Sequence, residues 1–250
     1  GASDSEGSDE GGYASEDDEA FAARLLAGRG VKGDKLGAVD HGQMNYAPFR
    51  KDFYIESAEV KAMTDAEVKE YRRSLDKIRV RGKDPPRPFR QWTQIGLSSK
   101  VLEVIRRLEY DKPMPIQAQA LPIIMSGRDC IGIAKTGSGK TMAFVLPMLR
   151  HVKDQPPLAS GDGPVGLVMA PTRELVCQIG KDARRFGKPL GLSTVCVYGG
   201  SGVAGQISEL KRGAEVVVCT PGRMIDVLAN SNGKVTNLRR VTYLVLDEAD

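Results

Sequence analysis

The stretch CIGIAKTGSGKT at residues 130–141 joins a short apolar run to a glycine-rich turn. Its second part, residues 134–141, fits the phosphate-binding pattern GxxxxGK[ST], with Ala134 in place of the first glycine. The run before it reads as a strand and TMAFVLPMLR after it as a helix, which is the context this pattern requires. The stretch therefore predicts a nucleotide-binding loop in an α/β fold.

Each residue type in this loop suits a phosphate ligand. Gly137 and Gly139 let the backbone wrap closely, so that its amides face one anionic group. A helix that begins near Lys140 adds its positive end, while the Lys140 side chain reaches the β and γ phosphates and the Thr141 hydroxyl binds Mg²⁺. The nucleotide-contacting residues are expected to be Ala134, Lys135, Thr136, Gly137, Ser138, Gly139, Lys140 and Thr141.

Four further apolar runs alternate with helical stretches in the second half of the chain. Their side chains are apolar on both faces, which is typical of a parallel sheet with helices packed on each side. In such sheets the functional residues lie at the carboxyl ends of the strands. The runs are VGLVMA (165–170), TVCVY (194–198), EVVVCT (215–220) and VTYLVL (241–246).

Two carboxylates, Asp247 and Glu248, follow the last of these runs. A phosphate loop that binds Mg²⁺ needs an acidic side chain at the tip of a nearby strand, and Asp247 has that place. Glu248 beside it can orient and deprotonate an attacking water. Lys140, Asp247 and Glu248 are therefore the predicted catalytic residues, with Thr141 and Asp247 as the metal ligands.

Composition divides the chain into three parts. Residues 1–40 are rich in glycine, serine and acids, and are predicted to be a disordered acidic tail. Residues 41–88 are an extension with one short helix, marked by a capping-box pattern at Thr64 and Glu67, and a proline-rich connector. Residues 89–250 form the nucleotide-binding domain.

Charge is distributed unevenly along the chain. Its net charge is +4, but residues 1–19 contain eight acids and no base, so all 36 basic residues follow them with 24 of the 32 acids. A basic body suggests a polyanionic partner, with the acidic segment either as its competitor or as an aid to solubility. No apolar run approaches the roughly 20 residues of a membrane span, so no membrane partner is expected.

The loop together with the quartet Asp-Glu-Ala-Asp (247–250) resembles the DEAD-box RNA helicases. Further matches are KPMPIQ (112–117), PTREL (171–175), GG (199–200) and TPGR (220–223). The resemblance covers about residues 89–250. It implies a RecA-like domain that binds ATP with Mg²⁺ and one face of single-stranded or locally structured RNA, and that works with a second, similar domain.

The resemblance also assigns roles to individual residues. Gln117 is expected to read adenine, because one amide offers both a donor and an acceptor, so ATP would be preferred over GTP. Trp92 stands where the family has an aromatic against the base, with core packing as its alternative role. The RNA backbone contacts are expected from Pro171, Thr172, Arg173, Gly199, Gly200, Thr220, Gly222 and Arg223.

At two positions the chain departs from the family pattern. Met114 stands where Thr or Ser is usual, which removes a hydroxyl that could brace the phosphate loop. Lys135 replaces the commoner Gln, and its side chain is expected to point away from the phosphates.

The flanking segment DHGQMNYAPFRKDFYIESAEV (40–60) resembles the prespliceosomal, U2 snRNP-associated branch of this family. It implies a nuclear protein of pre-mRNA splicing, with U2 snRNP or other spliceosome components as partners. Because the family's later motifs and second domain follow the Asp-Glu-Ala-Asp quartet, the chain is expected to be an N-terminal fragment that is a weak ATPase by itself.

Two other classes compete with an RNA-remodelling ATPase. An ATP-gated module that binds RNA or a partner without remodelling it would keep the same loop. Another phosphate-loop enzyme, such as a GTPase or a nucleotide kinase, is disfavoured. The chain shows no NKxD-type sequence for guanine, and a kinase has no need of Thr172, Arg173, Thr220 and Arg223 at strand ends.

Overall fold

The computed structural model describes residues 15–27, 36, 39–200, 202–231 and 233–249. The α-helices are α1 (Glu16–Ala27), α2 (Ala58–Lys61), α3 (Asp65–Ser74), α4 (Ser99–Arg107), α5 (Pro115–Met125), α6 (Lys140–Asp154), α7 (Arg173–Gly187), α8 (Val203–Arg212) and α9 (Pro221–Ser231). The strands are β1 (Gly166–Met169), β2 (Thr194–Val197), β3 (Val216–Cys219) and β4 (Tyr243–Leu246). In this part of the chain no helix combines the length and the apolar character needed to cross a membrane.

The four strands form one parallel sheet in the order β2-β3-β1-β4. Gly166 of β1 is level with Val216 of β3 on one side and with Tyr243 of β4 on the other. Parallel neighbours need long crossover connections, and here α7, α8 and α9 lie between successive strands in the chain. The predicted parallel α/β sheet is therefore confirmed.

Alternating strand residues supply two separate cores, one on each face of the sheet. Val168 and Val218 pack into a cluster with residues of α4, α5, α6 and α7. Leu167 and Val217, their chain neighbours, pack into a second cluster with residues of α8 and α9. Successive side chains of a strand point to opposite faces, so a strand between two helical layers must be apolar at every position.

The predicted strand at residues 130–133 is wrong. This segment has no regular secondary structure, and Ile131 and Ile133 are 94% and 93% exposed. A strand needs a hydrogen-bonded neighbour, and no strand of the described sheet pairs with this segment. The edge strand β4 likewise exposes Leu244 and Leu246, each at 56%.

The structure also differs from the prediction of a disordered tail over residues 1–40. Residues 16–27 form α1, whose Ala22 and Leu25 are buried in the cluster with α8 and α9. The buried Asp18 carboxylate pairs with Lys211 of α8. Apolar burial and one ion pair thus hold a helix in a segment of acidic composition. The other residues of this prediction lie mostly outside the described ones.

Residues of the predicted extension pack on the domain. Thr64 caps α3 with the full capping box, as the sequence predicts. The backbone amides of Phe53 and Tyr54 donate to the Met125 carbonyl at 2.6 and 3.0 Å, and Arg50 pairs with Asp154 of α6 at 2.7 Å. The extension therefore packs on the helices that flank the phosphate loop.

Candidate nucleotide and RNA sites

The segments that follow the four strands leave the sheet at one edge, because the strands are parallel. The last strand residues are level with one another, Met169 with Cys219 and Leu246, and Val197 with Cys219. The segments that follow the strands, which are up to 77 positions apart in sequence, therefore start side by side. They begin at residues 170, 198, 220 and 247.

The phosphate loop is a tight turn that leads into α6. Gly137 and Gly139 have φ of 75° and 84°, in the left-handed region that glycine adopts without strain. Lys140 is the first residue of α6, and its Nζ donates to the Ala134 carbonyl across the loop at 2.8 Å. A cation and the free amides of a helix N-terminus thus lie next to each other.

The side chains of the loop leave room and donors for an anion. Lys135, Thr136 and Gly137 are exposed. The Ser138 hydroxyl is buried and has no hydrogen-bond partner among the described residues. An unpaired donor beside left-handed glycines and a lysine fits a phosphate group.

Gln117 braces this loop in the structure. Its side chain is buried, with 2% exposure, and Nε2 donates to the Gly139 carbonyl at 3.1 Å. Its Oε1 accepts from the Met114 backbone amide at 2.9 Å, which caps the start of α5. A Cβ at Gly139 would lie only 2.7 Å from the Met114 sulfur, so the adenine-motif segment and the loop are in close contact.

Trp92 lies in the core, in the packing role that was its alternative. Its ring is 6% exposed and lies 5.7 Å from that of Phe89, and Nε1 donates to the Tyr110 carbonyl at 2.8 Å. The indole and Tyr110 also line a cavity of about 590 Å³. A role against the base therefore stays a prediction.

Asp247 and Glu248 continue β4 at the edge where the other motifs begin. The Asp247 amide donates to the Met169 carbonyl at 2.9 Å, which extends the pairing with β1 by one residue. Glu248 is exposed, with a left-handed φ of 50°. Neither carboxylate takes part in an ion pair within the described residues, and the Thr141 side chain is half-buried.

The structure brings two of the predicted RNA-contact motifs together at Arg173. Thr172 caps α7, its hydroxyl accepting from the Leu175 amide at 3.3 Å, so Arg173 is held at the helix start. Its guanidinium lies 5.0 Å above the Tyr198 ring, and a Cβ at Gly200 would lie 3.3 Å from its Nη1. Burial, with Cys177 nearby, raises the pKa of Tyr198, so this phenol stays neutral.

Arg223 joins the same group from α9. A Cβ at Gly199 would lie 3.8 Å from its Nη2. The side chain is only 5% exposed, yet Nε and Nη1 donate to no described residue, and the nearest carboxylate, Asp226, is 4.0 Å away. Buried donors are nearly always paired in folded proteins, so this guanidinium is suited to an external anion.

The segment before Arg223 has the geometry of a helix start. Pro221 is the first residue of α9 and is exposed, as is Gly222. The Thr220 carbonyl accepts from the Met224 amide at 3.1 Å, which is the first bond of this helix. Proline is favoured here because its missing donor would be unpaired in any case.

Sequence reasoning missed Tyr198 and Gln206. Tyr198 supports Arg173, and the Gln206 side chain accepts from the Tyr198 amide at 3.0 Å. The aromatic that ends the run TVCVY directly before Gly199 was the available signal. Gln206 carried none, because its contact depends on how α8 packs.

Comparison with known proteins agrees with this geometry. The sequence profile of the DEAD/DEAH box helicases matches residues 114–250, more than half of the chain. DEAD-box ATP-dependent RNA helicase 42 of Arabidopsis thaliana is 66% identical over 235 residues, which are 94% of this chain and 20% of that protein. Probable ATP-dependent RNA helicase DDX46 of Homo sapiens is 56% identical over 239 residues, or 95% of this chain and 23% of that one.

Two solved structures share the fold. The RNA helicase Prp28 from Chaetomium thermophilum, bound to ADP, aligns with a TM-score of 0.70 and 38% identity over 79% of this chain and 47% of its own. The yeast DEAD-box splicing factor Prp28 aligns with a TM-score of 0.70 and 32% identity, over 76% of this chain and 44% of its own.

The chain spans between about a fifth and a quarter of the length of the curated relatives it matches. The family profile, however, covers the described phosphate-loop helix, the strand-end motifs and the acidic pair. Since the same motifs meet at one edge of the sheet, the chain belongs to the DEAD/DEAH box helicase family.

Proposed function

We propose that the protein is an ATP-dependent RNA helicase, which hydrolyses ATP when RNA is bound and remodels RNA or RNA–protein complexes. The observation that carries this proposal is the meeting of Arg173, Arg223 and the glycine pair 199–200 at the sheet edge where Asp247 and Glu248 also begin. Because the proposed RNA contacts and the acidic pair lie at one edge of the same sheet, RNA binding can influence the position of the acidic pair and thereby the rate of ATP hydrolysis. The names of the relatives support the same activity.

ATP is expected to bind at the loop formed by residues 134–141. Lys140 would release the Ala134 carbonyl and take phosphate oxygens as its partners. The loop amides and the buried Ser138 hydroxyl supply neutral donors. Trp92 and Gln117 are the proposed contacts of the adenine ring, and Gln117 would exchange its present bonds to Met114 and Gly139 for the base.

Mg²⁺ is proposed to bind between Thr141 and Asp247, whose hydroxyl and carboxylate oxygens are ligands of the kind this cation prefers. When bound, Mg²⁺ neutralises negative charge that develops on the phosphates. Glu248 is proposed to orient the attacking water and accept its proton, since it is exposed beside Asp247 and has no ion-pair partner among the described residues.

RNA is expected to be held through its backbone. Thr172 and Thr220 open helices whose amides can bind phosphate, and Arg173 and Arg223 add positive charge. The proposed contacts, as predicted from the sequence, are Pro171, Thr172, Arg173, Gly199, Gly200, Thr220, Gly222 and Arg223. Such contacts are largely independent of base sequence.

A role in pre-mRNA splicing, in the nucleus and with U2 snRNP or other spliceosome components, is the finer part of this proposal. Its support is the resemblance of residues 40–60 to the U2-associated branch, together with the likeness to a yeast DEAD-box splicing factor.

The test is to measure ATP hydrolysis and strand displacement by the full-length protein. We expect hydrolysis to rise on addition of RNA, and a short labelled strand to be released from a duplex only when ATP is present. RNA-stimulated hydrolysis without any strand release or protein displacement would favour the alternative, an ATP-gated binding module. Hydrolysis that is indifferent to RNA would contradict the proposal.

Replacing Gln117 by alanine is expected to weaken ATP binding about tenfold or more, because two hydrogen bonds of an amide are lost. If Gln117 reads adenine, the affinity for GTP changes much less, so that discrimination between the two nucleotides shrinks. Competition against a fluorescent ATP analogue measures both affinities.

Gln117→Glu is a second variant, which keeps the acceptor for the Met114 amide but replaces the donor to Gly139 by a carboxylate oxygen that repels this carbonyl, so it should weaken ATP binding at least as much as Gln117→Ala. Equal loss of ATP and GTP affinity in Gln117→Ala would show that this residue only braces the loop. Equal affinities of the unmutated protein for ATP and GTP would contradict adenine selection altogether.

A further inference from the structure

A basic groove on the extension is lined by residues that belong to none of the strand-end motifs. It is a cavity of about 490 Å³ between α3 and the segment that follows it. Nine residues line it, of which five are cationic and only Asp65 is acidic. The five, which we call the basic groove residues, are Lys69, Arg72, Arg73, Lys77 and Arg79.

Three of these cations lack a partner. Lys69, Lys77 and Arg79 are exposed and form no ion pair with any residue the structure describes. Arg73 pairs with Glu70 at 3.3 Å, but both side chains are largely exposed, where such pairs contribute little. Most of the positive charge of the groove is therefore available to a ligand.

The backbone reverses after α3, and the segment with Lys77 and Arg79 lines the same cavity as residues of this helix. Asp76 and Lys77 have φ of 53° and 56°, and two successive left-handed residues reverse the chain after α3. The Ile78 amide donates to the Arg72 carbonyl at 3.1 Å and fixes this reversal. Each such non-glycine residue costs on the order of 1 kcal/mol, so the turn concentrates like charge at the expense of stability.

Arg72 anchors the groove to the nucleotide-binding domain. Its Nε donates to the Gln119 side chain at 2.8 Å and its Nη2 to the Pro86 carbonyl at 3.3 Å. Burial lowers the pKa of Arg72, as expected for a guanidinium held between elements. Gln119 belongs to α5, the helix whose first turn contacts the phosphate loop through Gln117.

The lining determines the kind of ligand. The apolar lining consists of Val68, Ile78 and Val80, and no aromatic side chain is present on which a base could stack. Proteins that hold unpaired bases normally use aromatic platforms, whereas binding to the backbone needs only positive charge. The groove thus suits phosphates rather than bases.

We propose that this groove is a second RNA site, which binds the phosphate backbone of the RNA that flanks the strand held at the sheet edge. The identification of the polyanion as RNA rests on the proposed function. The charge and the shape of the groove are observed independently of that function. The groove would add affinity without sequence preference, and it would extend the footprint of the protein on longer RNAs.

The test compares two triple variants of the full-length protein. The groove variant carries Lys69→Gln, Lys77→Gln and Arg79→Gln. The control variant carries Lys100→Gln, Lys181→Gln and Lys188→Gln, which removes the same charge from exposed positions outside the groove. RNA affinity is measured at several salt concentrations, with a short RNA that fills only the sheet-edge site and with a longer one.

We expect the groove variant to bind the long RNA about tenfold or more weakly than the unmutated protein. The slope of log K against log salt concentration should become shallower by roughly two units, which corresponds to the loss of two or three phosphate contacts. Its affinity for the short RNA should stay within about twofold, as for the control variant with either RNA. A charge-conserving variant with Lys69→Arg, Lys77→Arg and Arg79→Lys should bind both RNAs like the unmutated chain.

The proposal is overturned if the groove and control variants lose equal affinity for the long RNA, because only net charge would then matter. It is also overturned if the groove variant keeps the full salt slope. Poly-L-glutamate serves as a second probe, which represents an acidic protein. The proposal is also overturned if the groove variant loses affinity for poly-L-glutamate but keeps its affinity for RNA, since the partner of the groove would then be an acidic protein. If the unmutated protein does not bind the short RNA, the sheet-edge site of the proposed function is wrong, whereas the proposal for the groove is judged by the long RNA.

Discussion

Replacing Glu248 by glutamine in the full-length protein is expected to lower the rate of RNA-stimulated ATP hydrolysis by about 10²–10⁴-fold, the usual contribution of a general base. ATP affinity should stay within about threefold, because the amide is isosteric and only the proton acceptor is lost. Glu248 is exposed at the end of β4 and contributes no ion pair within the described residues, so the fold should be unaffected. Single-turnover hydrolysis and equilibrium binding measure the two effects.

Lys140→Ala is the contrasting variant. It removes the phosphate contact proposed for Lys140, which would exist before and during the reaction, so binding and hydrolysis should both fall. If Glu248→Gln hydrolyses ATP at the normal rate with RNA present, Glu248 is not the base. If Glu248→Gln instead loses nucleotide affinity to the same extent as Lys140→Ala, Glu248 supports the site rather than the chemical step.

Features encoded by neighbouring residues could be predicted from the sequence. The four paired strands coincide with apolar runs, and β1, β2 and β3 supply buried residues to both core clusters, because a strand between two helical layers must be apolar at every position. The capping box at Thr64 and Glu67 forms as its three-residue spacing requires. The start of α6 at Lys140 follows from the left-handed glycine before it.

Features that depend on a distant partner could not be predicted. An apolar run such as residues 130–133 indicates a tendency to be buried, but not which strand would cover it, and here Ile131 and Ile133 are exposed. For α1 the prediction was wrong in the opposite direction, because a segment expected to be disordered forms a packed helix. Acidic composition indicated disorder, yet Asp18 finds Lys211, which lies 193 positions away in sequence.

The candidate site shows the same division. The motifs located the phosphate loop and the strand-end arginines, since their chemistry is contained in a few consecutive residues. The contact partners of individual side chains could not be predicted from the sequence, because they belong to other helices, strands or loops. The bond of Gln117 to Gly139 and the approach of Arg223 to Gly199 depend on tertiary packing.

Replacing Arg223 by alanine is expected to weaken RNA binding by about 10- to 100-fold, the value of one or two charge-assisted hydrogen bonds to phosphate. The salt slope should flatten by roughly one unit for the one lost contact, and two unrelated RNA sequences should be affected equally. Nε and Nη1 of Arg223 have no hydrogen-bond partner among the described residues, so the substitution breaks no hydrogen bond at these two atoms and removes only the 4.0 Å ion pair with the half-exposed Asp226.

RNA affinity at several salt concentrations, measured for both sequences with the full-length protein, checks this prediction. ATP binding without RNA should be unchanged, whereas RNA-stimulated hydrolysis should fall, because the proposed role of Arg223 affects the nucleotide site only through bound RNA. Arg212→Ala, which removes an exposed cation from the last residue of α8, is the control and should leave the salt slope and the affinities for RNA and ATP unaltered. Loss of affinity for one sequence alone, with the salt slope intact, would mean that Arg223 contacts bases. A lowered unfolding temperature together with weaker ATP binding would contradict this prediction, because the buried guanidinium would then support the fold.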